Sequence, residues 1–374
     1  MSAGRADVAV VGGGLIGCAL AAELARRRRS VVVVERDEPG AEASGAAAGM
    51  LTPQSDARGR DAFFDLTLES RALYPEWVDE LSKESGVAVG YRRWGLLKCR
   101  FEGGTGAVLG ELYEWQRSAG LEVAVRPRAA LASDLARRLS PDVCEAAFFP
   151  DEAAVDPKAL TRAAWLAAVR RGVDVRVGTR VLGFRIDGGA CRGVETDGGF
   201  LEAGATVDAA GAWAAFGGRL PMPLPIAPVR GQIVRLSLAD PLPTMVASDD
   251  VYLVPRGDGT LLLGSTVEHV GFHKAVTAEG VERLLAAARR LCPDLGSGRF
   301  VDAWSGLRPG TPDGWPVLGS SPVRGLFFAA GHYRNGVLLA PATARVLADQ
   351  ICGTATRDLS AFSIERFSPA RRIA

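Results

Sequence analysis

Histidine is scarce in this chain: three in 374 residues, His269, His273 and His332. The six cysteines, Cys18, Cys99, Cys144, Cys191, Cys292 and Cys352, are widely spaced and form no C-x-x-C pair. These absences exclude a zinc-type ligand set and a disulfide-stapled scaffold, and they point to a reduced, cytosolic compartment. Charge of one sign is also missing: 44 basic residues face 43 acidic ones, for a net charge of +1. The single basic run, Arg26–Arg29, leads straight into an apolar stretch and reads as the solvated C-terminal end of a helix, where cations suit the macrodipole. Nucleic-acid binding is therefore not indicated. Long apolar runs are absent too. Residues 8–22 are too few to span a bilayer and end at Glu23, and no basic segment with a small-residue cleavage site marks an export signal.

What the chain has is glycine, 45 residues of it, and a composition that is 48% hydrophobic. Near the start stands VAVVGGGLIGCALAAEL. Residues 7–11 (DVAVV) read as a buried strand, 15–29 as a helix, and 30–36 (SVVVVER) as a second buried strand. Between the first strand and the helix lies Gly12-Gly13-Gly14-Leu15-Ile16-Gly17, a G-x-G-x-x-G. Gly12 permits the tight turn, Gly14 lets a pyrophosphate approach the backbone, and Gly17 lets helix and strand pack closely. The helix N-terminus offers unpaired N–H groups to the anion. Glu35, at the end of the second strand, can accept hydrogen bonds from ribose hydroxyls. An acid there disfavours a 2′-phosphate and leaves NAD and FAD open.

Further along, 40–54 (GAEASGAAAGMLTPQ) is rich in small residues, which suits either a loose loop or a backbone lying against a long cofactor. Residues 61–86 read as a helix with Phe64, Leu68, Leu73 and Trp77 on its apolar face. Residues 156–172 read as a helix capped by Asp156, with Pro157 in its first turn and Gly172 just past its end. Strands joined by turns at Asp187-Gly188 and Asp197-Gly198 lead to a buried strand (ATVDAAG) and Ala212-Trp213. Residues 218–232, with Pro221, Pro223, Pro225 and Pro228, suggest an inter-domain crossing. Strands are expected at 232–238, 250–255 and 260–266, and a helix at 277–292 carries Val281, Leu284, Leu285, Ala288 and Leu291 on one face. After a Pro/Gly-rich loop at 305–319 come a buried strand at 325–331 and a loop entering an apolar helix. Nucleotide-domain signals thus occur at both ends and in the middle, with β-rich stretches between. The expected fold is α/β, built as two interleaved domains from discontinuous segments.

Taken in order, VVGGGLIGCALAAELA, GAAAGML, DAAGAW, PVRGQ, GLRPGTPDGWPVLG and AAGHYRNGVLLAPAT resemble the glycine oxidase branch of the D-amino-acid oxidase family of FAD-dependent amine oxidases. The resemblance runs through nearly the whole chain. It implies a Rossmann-like FAD-binding domain (1–85, 151–217 and 320–374) interleaved with a β-sheet-rich substrate domain (86–150 and 218–319). It implies non-covalent FAD, since 305–331 has no cysteine where covalent-flavin relatives carry one. Leu15 and Ile16 would lie at the pyrophosphate, with Gly12, Gly14 and Gly17 forming the turn. Glu35 and Arg36 would lie near the adenosine ribose, and Val181 would meet the adenine through its backbone. Ala43, Ser44, Ala48, Gly49 and Met50 would lie along the phosphates and flavin, and Gly211 of DAAGAW would also contact the cofactor. The run His332, Tyr333, Arg334, Asn335, Gly336, Val337 and Leu338 would wrap the pyrimidine end of the flavin. Gly45 stands where the family often has a hydroxyl residue.

The same resemblance places Arg308 at the substrate carboxylate, Arg334 as a second arginine at the site, and Tyr252 on the pocket wall, where it can donate to the carboxylate. It implies oxidative deamination of glycine or another small primary, secondary or D-amino acid by hydride transfer to flavin N5. O2 would be the acceptor, and the products an α-keto acid, ammonia or amine, and H2O2. No catalytic side chain is required beyond the flavin, because the protein's work is to bind, orient and exclude solvent. The alternative is a dehydrogenase of the same fold that passes electrons to a non-oxygen acceptor. The resemblance further implies a homotetramer and a place in thiamine thiazole synthesis.

Overall fold

The structure is a computed structural model that describes residues 5–103, 108–214 and 223–368. In chain order its elements begin with β1 (Ala6–Val11), α1 (Leu15–Arg26), β2 (Val31–Val34), α2 (Ala43–Ala46), β3 (Met50–Leu51) and α3 (Ala62–Ser85). Next come β4 (Leu96–Phe101), α4 (Leu109–Leu112), α5 (Glu114–Ser118), β5 (Ala124–Pro127), α6 (Ser133–Arg138), β6 (Val143–Phe149) and β7 (Ala153–Ala154). The middle holds α7 (Pro157–Arg170), β8 (Asp174–Arg176), β9 (Val181–Asp187), β10 (Ala190–Thr196) and β11 (Gly199–Asp208). The remainder is β12 (Ala227–Ser237), β13 (Met245–Ala247), β14 (Tyr252–Pro255), β15 (Thr260–Gly264), α8 (Ala278–Leu291), β16 (Arg299–Gly310), β17 (Val317–Ser320), β18 (Leu326–Ala330) and α9 (Gly336–Cys352).

Among the described residues these strands form two eight-stranded sheets and a small β3–β7 pair. The first sheet runs β17-β18-β11-β1-β2-β8, with β10 and β9 continuing from β11. Its central pairings, β18–β11–β1–β2–β8, are all parallel. Helices on its faces explain why β2 is valine throughout and buried at every position: a parallel strand covered on both sides needs apolar residues on both faces. The second sheet runs β16-β12-β15-β14-β13-β4-β6-β5. Helix α8 covers it with Leu284, Ala288 and Leu291. Both sheets are assembled from strands of discontinuous segments. The expected domain boundary at 217/218 and Pro221 in the crossing lie outside the described residues. β17, at 317–320, belongs to the first sheet.

Four local expectations need correction. The tight turn between β9 and β10 centres on Gly188-Gly189, both at positive φ, rather than on Asp187-Gly188, because a two-residue hairpin turn wants both central residues there. The proline-rich stretch is already β12 from Ala227 onward. The loop expected at 305–319 is strand up to Gly310, pairing Arg308 with Val229. Lastly, α3 buries Leu66, Ser70, Tyr74, Val78 and Leu81, while Leu68, Leu73 and Trp77 are only partly covered. Two polar groups face inward because they have work there. Tyr74 Oη donates to the carbonyl of Val337, and Ser70 Oγ donates to that of Leu338 at 2.6 Å, both in the first turn of α9.

Candidate active site

A cavity of about 1240 Å³ runs between the two sheets. Ordinary small-ligand pockets hold roughly 300–1,000 Å³, so this space suits an extended dinucleotide with room for a small second molecule. Its walls collect Gly12, Gly14, Ile16, Glu35, Arg36, Ala43, Ser44, Ala48, Gly49, Met50, Val181, Gly211, Tyr252, Arg308 and the run His332–Val337. The side chains of Leu15 and Leu338 are turned into the core and not onto this wall, and Gly17 is the packing position its place in the motif implies: a Cβ there would lie 2.0 Å from the carbonyl oxygen of Gly12.

At one end, β1 delivers Gly12 at φ +104°, where an added Cβ would sit 2.6 Å from Ala209 O. Gly14 is the N-cap of α1 and offers no side-chain cap, so the first-turn N–H groups face the cavity as an anion site. One of them, on Leu15, donates to Ser44 Oγ at 2.9 Å. The Glu35 carboxylate accepts from the N–H of Gly13 at 2.7 Å and of Asp37 at 2.9 Å, with lone pairs left over for a diol. The Arg36 guanidinium lies 4.0 Å over the Trp213 ring, which also faces the cavity. Open helix donors, glycines that admit a backbone approach and an acid at the end of β2 all fit the pyrophosphate and ribose of FAD. None of the six cysteines lies on the wall, so no thiol is placed for a covalent link.

The small-residue tract 40–54 is not a loose loop. From the second sheet, Arg256 donates from Nη2 to Ala48 O and from Nη1 to Val155 O, each at 2.6 Å. Trp304 Nε1 donates to Ala46 O at 2.9 Å. Gly45 is required by space: a Cβ there would lie 2.4 Å from Gly40 O.

At the other end, Arg308 and Tyr252 meet. Arg308 comes from β16 and Tyr252 from the start of β14. Burial draws the Arg308 pKa down, with Tyr252 pulling the other way. Nη1 donates to Thr266 O at 3.1 Å and Nη2 to Ser265 Oγ at 2.5 Å. Each amino group keeps a second N–H for another acceptor. Arg334 also lines the cavity, but its side chain is half exposed, 3.8 Å from Asp56. His332 is buried, its Nε2 paired with Thr343 Oγ1 at 3.1 Å, and burial lowers its pKa to about 3. It therefore stays neutral over the working pH range. Buried Asp208, pushed up to about 7 by burial, lines the cavity where β11 ends.

Sequence reading missed Ser265, Gly231, Arg256 and Trp304. Gly231 stands in the PVRGQ motif, but no local pattern shows what any of the four does, because each acts on a partner far away in the chain.

The sequence profile of the family described as FAD dependent oxidoreductase matches residues 7–350. The glycine oxidase of Geobacillus kaustophilus is 38% identical over 99% of this chain and 98% of its own length. The crystal structure of a glycine oxidase from that organism superposes with a TM-score of 0.92, covering 97% of this chain and 99% of that one. The bifunctional protein ThiO/ThiG of Trichormus variabilis is 37% identical over 92% of this chain, which spans only 52% of that protein. A glycine oxidase structure from Bacillus cereus is 29% identical, with a TM-score of 0.85 over 96% of this chain and 98% of that one.

Proposed function

This chain belongs to the FAD dependent oxidoreductase family, and from that premise we propose that it oxidises glycine or a similarly small amino acid, with O2 as the electron acceptor. The observation that carries the reading is the pairing of Arg308 with Tyr252 at one end of a cavity whose other end carries the dinucleotide features. FAD, when bound, supplies the two-electron acceptor for the substrate's α C–H bond. The chain's own residues do the rest. Arg308 grips the carboxylate through its free N–H donors, in the fork geometry that a guanidinium offers and an ammonium does not. Tyr252 Oη donates to the same carboxylate. With the carboxylate held, the α-carbon has a fixed place, and fixing reactants within about 3–3.5 Å is a large part of such catalysis. The amine reacts in its neutral form, so no side-chain base is needed; neutral His332 is already committed to Thr343. The oxidised product, an imine, is hydrolysed by water to an α-keto acid and ammonia.

In this reading the first sheet holds the cofactor and the second presents the substrate, with Arg334 bracing the rim through Asp56. The test is direct. Purified protein should be yellow, bleach with glycine, sarcosine or D-alanine under nitrogen, and form H2O2 in air. Bleaching without peroxide would make it a dehydrogenase, and protein that takes up no FAD would end the proposal.

A further inference from the structure

We propose that Ser265 and Gly231 are the positioning residues that set the direction of the Arg308 fork; the inference rests on the carboxylate role given to Arg308 above. Arg308 makes no ion pair with an acidic side chain among the described residues. Beside Tyr252, it is held by a hydroxyl and a carbonyl from two consecutive residues, Ser265 Oγ at 2.5 Å and Thr266 O at 3.1 Å. Neutral acceptors orient a guanidinium without neutralising it, so the positive charge stays available for a substrate anion.

Gly231 supplies the seat. It lies on β12, next to β16, and a Cβ built on it would fall 2.1 Å from Nη2 and 2.3 Å from both Cζ and Nη1 of Arg308. The guanidinium therefore lies directly over the glycine, where no other residue leaves room. Tyr252 is seated the same way: a Cβ on Gly264 would come within 2.4 Å of its hydroxyl oxygen.

The 265–266 segment is itself held. Thr266 Oγ1 accepts from Gln232 N at 2.9 Å and donates to Glu268, and Glu268 is paired with buried Arg230 and accepts from Gln232 Nε2 at 2.8 Å. Strand β12 thus fixes both sides of the arrangement, the seat at Gly231 and the clamp through Gln232 and Arg230.

The experiment uses the FAD-loaded enzyme and its Ser265→Ala, Gly231→Ala and Arg308→Ala variants. Flavin content, Tm, steady-state constants for glycine and the dissociation constant of acetate, read from the flavin spectrum, are measured for each. Ser265→Ala removes one oxygen and should raise both the glycine KM and the acetate constant by about fivefold, with kcat, flavin content and Tm near wild type. Gly231→Ala should raise both constants by about tenfold or more. If Ser265→Ala leaves both constants at wild-type values while Arg308→Ala raises them, the positioning role is overturned and the carboxylate role stands. If Arg308→Ala leaves them unchanged as well, both fall together. Should Gly231→Ala fail to fold, the Ser265→Ala arm decides alone.

Discussion

The hydroxyl of Tyr74, on α3, donates to the main-chain oxygen of Val337, four residues before Pro341 in α9. A proline has no N–H to give to the carbonyl four residues back, and its ring crowds that carbonyl. Tyr74 therefore completes a hydrogen bond that α9 cannot make for itself, on the turn that carries Gly336 and Val337 to the cavity wall. Tyr74→Phe leaves a buried carbonyl unpaired and should cost about 1–3 kcal/mol. Restoring the missing N–H with Pro341→Ala should shrink that cost. A double-mutant cycle by chemical denaturation measures the coupling, and an additive result would mean that the two residues do not share this carbonyl.

Arg256 ties the second sheet to the cofactor tract, since its two carbonyl acceptors, Ala48 just before β3 and Val155 just after β7, flank the separate β3–β7 pair. Charged hydrogen bonds of this kind contribute about 1.5–3 kcal/mol each. Arg256→Met should therefore weaken FAD retention by at least about tenfold, while the glycine KM of the fraction still holding flavin changes little. Flavin release followed by fluorescence checks this. Wild-type retention would show that the tract is held by Trp304 and packing alone.

Removing the guanidinium of Arg308 should leave FAD bound and raise the apparent KM for glycine at least about tenfold, because losing the partner of a buried carboxylate costs roughly 2–5 kcal/mol. Arg308→Lys should recover only part of the loss, since an ammonium on a flexible stem cannot make two parallel bonds. Steady-state kinetics with glycine decides, and equal constants for wild type and Arg308→Ala would move the carboxylate site elsewhere.

Glu152 predicts a pH effect on stability rather than on turnover. It is fully buried, its Oε1 accepts from the N–H groups of Gln54 at 2.8 Å and Ser55 at 3.3 Å, and its Oε2 has no partner. Burial pushes its pKa from 4.5 up to about 8, although Arg71 and the two amides pull it down. Between those values the folded chain keeps a proton that the unfolded chain has released. Its contribution to stability is thus full below pH 4.5, declines as pH rises and levels off above about 8. Glu152→Gln removes the titration, so its stability relative to wild type should improve between pH 5 and pH 8, by on the order of 1–4 kcal/mol. A difference that stays constant with pH would rule this out.

The strand–glycine turn–helix–strand run with Glu35 was legible from residues 7–36 alone, because its physics is local: buried valines, glycines at positions with no room, and an acid at a set spacing. The caps of α7 and the apolar face of α8 were legible for the same reason. The inward face of α3 was not, since Ser70 and Tyr74 are turned in by carbonyls of α9, some 260 residues away along the chain. Tertiary structure alone decided that 305–310 is strand, that the small-residue tract is pinned by Arg256 and Trp304, and that Arg308 lies over Gly231 against Ser265. Hydrophobic periodicity and turn chemistry act between near neighbours and leave a mark in the sequence. A hydrogen bond or a shared space between distant segments exists only once the chain has brought them together.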